Sequence, residues 1–305
     1  MLNEHYKAIK TEYALWLNIL GFSGSVCYKY SHHVRDFFLW LQNKNIHAVT
    51  HIRQTHINIY FEYLQIRPNQ RVKGRGLSTS HLNKNFDAVD KLMEFLHQMD
   101  MNGAPLPTAY RIKPDKQARL DKIQPLTRDE IKALQDNITN PELYTADCYT
   151  YKTIEQKQHT LRLLLALYYG CGLRRQEGYR LTAEDIDFEK RTVFVKQGKG
   201  YKDRIVPMSK GVYDTLQDYI YNFRNLQKLK HGRLFLHTTG TLNNNLKQLQ
   251  SVCDNETLKN KNVTLHTLRH SIATHLLQNG MSIESIALFL GHASLESTQV
   301  YTHLI

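Results

Sequence analysis

Four stretches of helical periodicity occupy the first hundred residues, and they fix what this part of the chain can become. Tyr6 to Leu20, Ser25 to Gln42, Thr55 to Gln65 and Ser78 to Gln98 repeat apolar residues every three or four positions. In the second stretch Val26, Tyr30, Val34, Phe37, Phe38 and Leu41 supply the apolar face. In the fourth, Leu82, Phe86, Val89, Leu92, Met93 and Leu96 do the same. Amphipathic helices of this kind hide their stripes against one another, which predicts a small helical bundle. The pattern stops where Pro105, Pro107, Pro114 and Pro125 gather among basic residues. A chain of 305 residues also exceeds what one hydrophobic core usually serves. The expected division is 1–110, a linker at 111–125 and a second domain at 126–305.

The second domain reads as mixed. Helices are predicted at Thr127 to Asn137 and Gln158 to Tyr169. Two β-rich runs follow, Arg191 to Lys196 and Asp203 to Pro207, joined by a glycine-bracketed turn with Lys199 at its tip. Ser209 to Leu229 reads as one long helix with Val212, Leu216, Ile220, Phe223 and Leu226 inward. A helix capped by Thr264 and stopped by Gly280 comes next, then short helices at Ser282 to Leu290 and Leu295 to His303. The fold class is mainly α with a small β-hairpin, an α+β arrangement. Asn140 to Glu155 reads as an insertion.

The chemistry concentrates near the end of the chain. His266, Arg269 and His270 stand at i, i+3 and i+4, opposite a stripe of Leu265, Leu268, Ile272 and Leu276. Gly291-His292 and Tyr301 follow. A lone His-x-x-Arg is usually a solvated face, and histidines at i and i+4 can also bind zinc. Here no Glu follows His266, and Arg269 would place a fixed positive charge beside the cation. A second cluster, Gly172-Leu173-Arg174-Arg175-Gln176-Glu177, comes directly after the apolar run from Leu161, so Arg174 sits at a turn beside a buried helix. Gly198-Lys199-Gly200 lacks the spacing of a phosphate-binding P-loop.

Net charge points the same way. Lys and Arg number 40 against 28 Asp and Glu, giving +12 and a pI near 9.4, as expected of a protein that binds a polyanion. Both halves carry a share of the excess, which suits a clamp closing on duplex from two sides. Arg67, Arg71, Lys73 and Arg75 form a basic loop between the third and fourth helices and are expected to contact DNA backbone. The N-terminus lacks the apolar run of a signal peptide, and Leu161 to Leu173 is too short to span a bilayer. Four scattered cysteines, without a Cys-x-x-Cys pair, fit a reduced, cytoplasmic setting and no structural zinc.

Taken in order, these motifs resemble the tyrosine recombinase, or phage integrase, family. Gly172-Leu173-Arg174 with Glu177 is similar to its first arginine box, Lys199 to its hairpin lysine and His266 to Arg269 to its second box. Gly291-His292 is similar to its next histidine, and Tyr301 to its nucleophile. The resemblance is strong over Leu126 to Tyr301 and looser before. It implies catalytic roles for Arg174, Lys199, His266, Arg269, His292 and Tyr301, with Arg175, Lys202, Arg204 and His270 on DNA and Glu177 orienting the first box. It implies a four-helix core-binding domain followed by a catalytic domain, no metal, cofactor or small-molecule substrate, and no membrane. The implied partner is double-stranded DNA with paired inverted sites around a short spacer, held by a homotetramer, and a mobile element is the expected home.

Two rivals use related features. A type IB topoisomerase carries a similar residue set but needs no paired sites. A non-enzymatic regulator could use Ser282 to Tyr301 as a helix-turn-helix. A phosphotransfer enzyme acting on small nucleotides is a third reading, for which the chain has no nucleotide-binding loop. Only Thr302 to Ile305 follow Tyr301, fewer residues than many family members carry. The expectation is therefore assembly through other contacts, or a shortened chain.

Overall fold

The structure is a computed structural model that describes all residues except 71, 73, 100–102, 114–123, 145–150, 197–202, 228–230 and 292–305. The chain divides into two compact units, Met1–Lys116 and Gln117–Ile305.

The first unit is built from α1 (Glu4–Ile19), α2 (Gly24–Gln42), α3 (Gln54–Ile66) and α4 (Thr79–Gln98). Asn3 caps α1 by accepting from the Tyr6 amide, and Ser78 caps α4 by accepting from that of His81. The periodic apolar residues meet in one core. Tyr6 stacks on Phe38 with ring centroids 4.2 Å apart, and Phe61 meets Phe86 at 4.1 Å. Val34, Phe37, Phe38 and Leu41 of α2 are buried, as is the whole predicted face of α4. Val26 and Tyr30, nearer the start of α2, are partly covered.

A buried carboxylate closes this unit. Asp90 accepts from the Thr108 amide at 2.8 Å, the Ala109 amide at 3.1 Å and Arg111 Nη1 at 2.8 Å. Asn83 exchanges two hydrogen bonds with the Ile112 backbone. Each donor offsets part of the cost of burying the charge. Thr108 to Ile112 are thereby held against α4, although the sequence suggests a linker from residue 111. In the basic loop, Pro68 bridges Gly76 and the Asn69 amide donates to Arg75 O at 2.7 Å. Arg75 is exposed and Arg67 half-buried there, while Arg71 and Lys73 lie outside the described residues.

The second unit holds α5 (Arg128–Asp136), α6 (Tyr151–Leu165), α7 (Arg175–Arg180), β1 (Ile186–Asp187), β2 (Thr192–Val195), β3 (Arg204–Pro207), α8 (Lys210–Asp218), α9 (Thr239–Ser251), α10 (Glu256–Lys259), α11 (Leu265–Gln278) and α12 (Ile283–Leu290). The strands form an antiparallel sheet in the order β1-β2-β3. The predicted hairpin pairing is present, with Val193 opposite Val206 and Val195 opposite Arg204. Its turn, with Lys199 and Lys202, lies outside the described residues, as does the predicted helix from Leu295 to His303. One core joins α6, α8, α9 and the sheet to Leu265 and Leu268 of α11. The Leu126 amide donates to Ser271 Oγ at 2.8 Å, tying the start of this unit to α11.

One predicted helix differs in the structure. The single helix over Ser209 to Leu229 is α8 followed by a π turn at Tyr219–Phe223 and a 3-10 turn at Arg224–Leu226. The wider turn rotates the side-chain phase, so Leu226 points outward at 74% exposure while Ile220 and Phe223 stay buried. The segment expected to be an insertion packs in part on this unit, with 145–150 outside the described residues. Pro141–Tyr144 forms a 3-10 turn, and the buried Lys157 donates to Leu143 O at 3.3 Å and Gln248 Oε1 at 3.0 Å. The remainder from Tyr151 belongs to α6. No helix among the described residues is long and apolar enough to cross a membrane.

Candidate active site

The site begins with the turn between α6 and α7. Helix α6 continues through a π turn, Ala166–Gly170, and reverses at Gly172, whose φ is +59°. A Cβ there would lie 2.8 Å from Leu290 Cδ2 and 3.0 Å from Phe289 Cε1. Glycine is required both for the left-handed backbone and for the close approach of α12. Replacing Gly172 with alanine is expected to cost about 2–4 kcal/mol, from left-handed strain and overpacking. A fall in melting temperature, with α12 displaced in a crystal structure, would check this.

Arg174 then caps α7, and Glu177, one turn on, receives it twice. The Arg174 amide donates to Oε2 at 2.8 Å and Nη1 to Oε1 at 2.6 Å. Arg174 Nη2 donates to the Gly291 carbonyl. Tyr168 supports the turn from below, its hydroxyl donating to Arg175 O at 3.0 Å, and Gly178 leaves room for the Tyr168 ring.

Helix α11 supplies the second guanidinium. Thr264 caps the helix by accepting from the Thr267 amide, as its sequence predicts. Arg269 does not project with the histidines into solvent. It is 1% exposed, donating from Nη1 to Gly172 O at 2.6 Å and from Nη2 to Leu290 O at 2.8 Å. Its Nη1 lies 3.9 Å from Glu177 Oε2. His266 and His270 pack edge to face with ring centroids 4.3 Å apart. One edge of His266 reaches solvent. Burial on its other side, and then the guanidiniums of Arg269 and Arg174, lower its pKa.

A third guanidinium was expected elsewhere. Arg204, for which the family resemblance implies a DNA contact, faces inward. Along β3 burial alternates, and Arg204 shares the inward parity with Val206. Its side chain is 6% exposed and grips Glu177 with both terminal nitrogens, at 3.1 Å and 2.9 Å. Arg175 is exposed and donates to Thr239 Oγ1 at 2.7 Å, and His270 is half-buried.

The electrostatics follow from the count. Three guanidiniums, those of Arg174, Arg204 and Arg269, surround one carboxylate, Glu177. Burial alone would raise the Glu177 pKa, but the hydrogen bonds and charge of Arg204, joined by Arg174, outweigh it and hold the group at about 2. The folded-state pKa is below the ordinary 4.5, so the stabilisation is present above that value and is lost as pH falls toward 2. The shift corresponds to roughly 3 kcal/mol. Melting temperature followed between these two pH values should fall more steeply in the wild type than in Glu177→Gln.

The described part of the site thus gathers Arg174, Glu177, His266 and Arg269, with His270 beside them. Lys199, His292 and Tyr301 lie outside the described residues. Among the described residues, no three His, Cys, Asp or Glu side chains are grouped as metal ligands would be.

Comparison with known proteins accords with this architecture. The family model of the phage integrase family matches residues 124–305, and the chain belongs to that family. Among its relatives is the tyrosine recombinase XerC of Chlamydia trachomatis serovar L2, 41% identical over 148 residues, 47% of this chain. That alignment spans about half of the relative, 46% of its length. Tyrosine recombinase XerA of Thermococcus kodakarensis is 29% identical over 300 residues, 95% of this chain and 89% of that one. Two solved structures share the fold. The XerH site-specific recombinase bound to difH substrate in a pre-cleavage complex has a TM-score of 0.67 at 19% identity, covering 91% of this chain and 76% of its own. The Tn1549 transposon integrase in complex with transposon right end DNA has a TM-score of 0.65 at 18% identity, covering 96% and 94%.

Proposed function

We propose that the chain is a site-specific DNA recombinase that cuts and rejoins DNA through a 3′-phosphotyrosyl intermediate. The observation that carries this reading is the convergence of Arg174 and Arg269, from distant parts of the sequence, on the turn that leads into His292. Such an excess of fixed positive charge suits a phosphodiester whose non-bridging oxygens gain charge in the transition state. The mixed sheet-and-helix unit, the family match and the DNA-bound structures of similar fold support it.

In this mechanism the Tyr301 phenol oxygen attacks phosphorus. A phosphorus–tyrosine bond forms and the bond to the 5′-oxygen breaks. His266 assists removal of the phenol proton, and Lys199 protonates the departing 5′-oxygen. Arg174, Arg269 and His292 bind the phosphate oxygens. The phosphotyrosine keeps the energy of the broken bond, and attack by a 5′-hydroxyl of the partner strand reverses the chemistry. Because that energy is kept the reaction needs no ATP, and the guanidiniums supply the charge that Mg²⁺ would otherwise provide.

The partner is double-stranded DNA carrying paired inverted sites around a short spacer. Four copies act together, and exchange proceeds through a Holliday junction. Arg67, Arg71, Lys73 and Arg75 from the first unit, a core-binding domain, hold backbone phosphates, with Arg175, Lys202 and His270 from the second. Both units contact the duplex, in the cytoplasm, and the outcome is the movement of a mobile element. A nicked duplex that loses its 5′-end on cleavage should trap a denaturation-resistant protein–DNA adduct in EDTA. Relaxation of supercoils lacking any target site would favour a type IB topoisomerase instead. Sequence-specific binding without any adduct would favour a helix-turn-helix regulator.

A further inference from the structure

The last turn of α12 presents consecutive carbonyls, each engaged by a different arginine. Phe289 O accepts from Arg204 Nε at 3.0 Å, Leu290 O from Arg269 Nη2 at 2.8 Å and Gly291 O from Arg174 Nη2. A helix C-terminus leaves its final carbonyls without intrahelical partners and carries the negative end of the macrodipole, so guanidiniums suit it on both counts. These arginines arrive from β3, from α11 and from the start of α7, and the carbonyls they take immediately precede His292.

Arg174 and Arg269 belong to the proposed phosphate cradle, and Arg204, which the proposed mechanism does not use, engages all three guanidinium nitrogens within the protein. Its Nε holds Phe289 O, and its Nη1 and Nη2 hold the two oxygens of Glu177. Glu177 in turn receives Arg174. We propose that Arg204 is a positioning residue that fixes Glu177 against the last turn of α12 and thereby aims the Arg174 guanidinium at the phosphate. This role rests on the recombinase reading of the site.

The geometry gives the physical reason. Arg204 occupies both carboxylate oxygens, so Glu177 cannot turn to close a symmetric two-bond pair with Arg174. Such a pair would take both Nη atoms of Arg174 and draw the guanidinium off the Gly291 carbonyl and away from substrate. Lysine cannot substitute, because one ammonium cannot span a carboxylate and a carbonyl in these directions. The family resemblance implies a DNA contact for Arg204, and the two roles predict opposite kinetics.

The test uses the full chain and a duplex carrying a binding site selected from a random-sequence library, nicked to trap the adduct. The variants are Arg204→Lys, Arg204→Ala, Arg174→Ala and the Arg174→Ala/Arg204→Lys double. Single-turnover adduct formation at saturating DNA, the DNA Kd and the melting temperature are measured for each. Arg204→Lys is expected to fold, to bind DNA within about threefold of wild type and to form adduct roughly ten- to hundredfold more slowly. In the Arg174→Ala background the same change should cost less than about threefold, because its effect passes through Arg174. Equal losses in both backgrounds would overturn the proposal, as would weakened DNA binding at an unchanged cleavage rate. Should Arg204→Ala fail to fold, the lysine variant alone decides. A wild-type protein that forms no adduct overturns the recombinase reading and this role with it, and that failure is visible before any variant is compared.

Discussion

Arg269→Ala is expected to lower strand cleavage by roughly a hundredfold or more, the usual effect of deleting a preorganised donor to developing charge. It should also destabilise the second unit, and both effects have the same origin. Arg269 is 1% exposed and bridges Gly172 O to Leu290 O. Truncation leaves both carbonyls short of a donor, at about 1–3 kcal/mol each, and opens a cavity where the side chain ran. The bridge joins the turn before Arg174 to the turn before His292, so its loss loosens both sides of the cradle. Arg269→Lys keeps the charge but can satisfy only one of the carbonyls well. It should recover part of the stability and little of the rate. Melting curves and single-turnover cleavage of the same samples separate the two contributions. A variant with near-normal cleavage would remove Arg269 from the chemistry.

Glu177→Met should be about as damaging to the fold as any single change in the site. It leaves Arg204 buried without its counter-ion, and breaking a buried pair in this way costs about 3–5 kcal/mol. The double variant Glu177→Met/Arg204→Met should regain much of that loss, because two packed apolar side chains replace two mutually dependent charges. Cleavage should stay depressed in the double, since Arg174 no longer has a carboxylate to hold it. Recovery of stability without recovery of rate distinguishes an orienting network from one that serves the fold alone. Thermal unfolding beside adduct formation reads both quantities. Full recovery of cleavage in the double would show that the carboxylate has no part in aiming Arg174.

These expectations indicate how much was legible in the chain. Helical periodicity identified α1 to α4, the face that α4 buries and most of that of α2, because one stripe packed on one core leaves a period of 3.6. Thr264 and Gly280 marked the limits of α11 through cap and left-handed stop. Two β-rich runs joined by a glycine-bracketed turn predicted the β2–β3 pairing. Alternation along β3 carries a further signal. Arg204 lies two residues before Val206, so it shares the inward face, whereas the family resemblance implies a DNA contact. Arg269 carries a similar signal, standing four residues after Leu265 and three before Ile272, on the flank of the apolar stripe.

Other features had no local signature. The π turn after α8, which turns Leu226 outward, depends on how that helix packs over α6 rather than on its own residues. The bonds of Arg174, Arg204 and Arg269 to Gly291, Phe289 and Leu290 span separations of 117, 85 and 21 residues. No periodicity within one element encodes such pairings, and only the folded unit brings them together.

The most direct measurement is peptide mapping of the adduct trapped on nicked duplex in the presence of EDTA. Mass spectrometry should find the DNA attached through its 3′-phosphate to Tyr301, with Tyr301→Phe yielding no adduct and Arg174→Ala yielding far less. Attachment at another residue, an adduct that persists in Tyr301→Phe, or strand cleavage that appears only with added Mg²⁺ and leaves no covalent link would contradict the account.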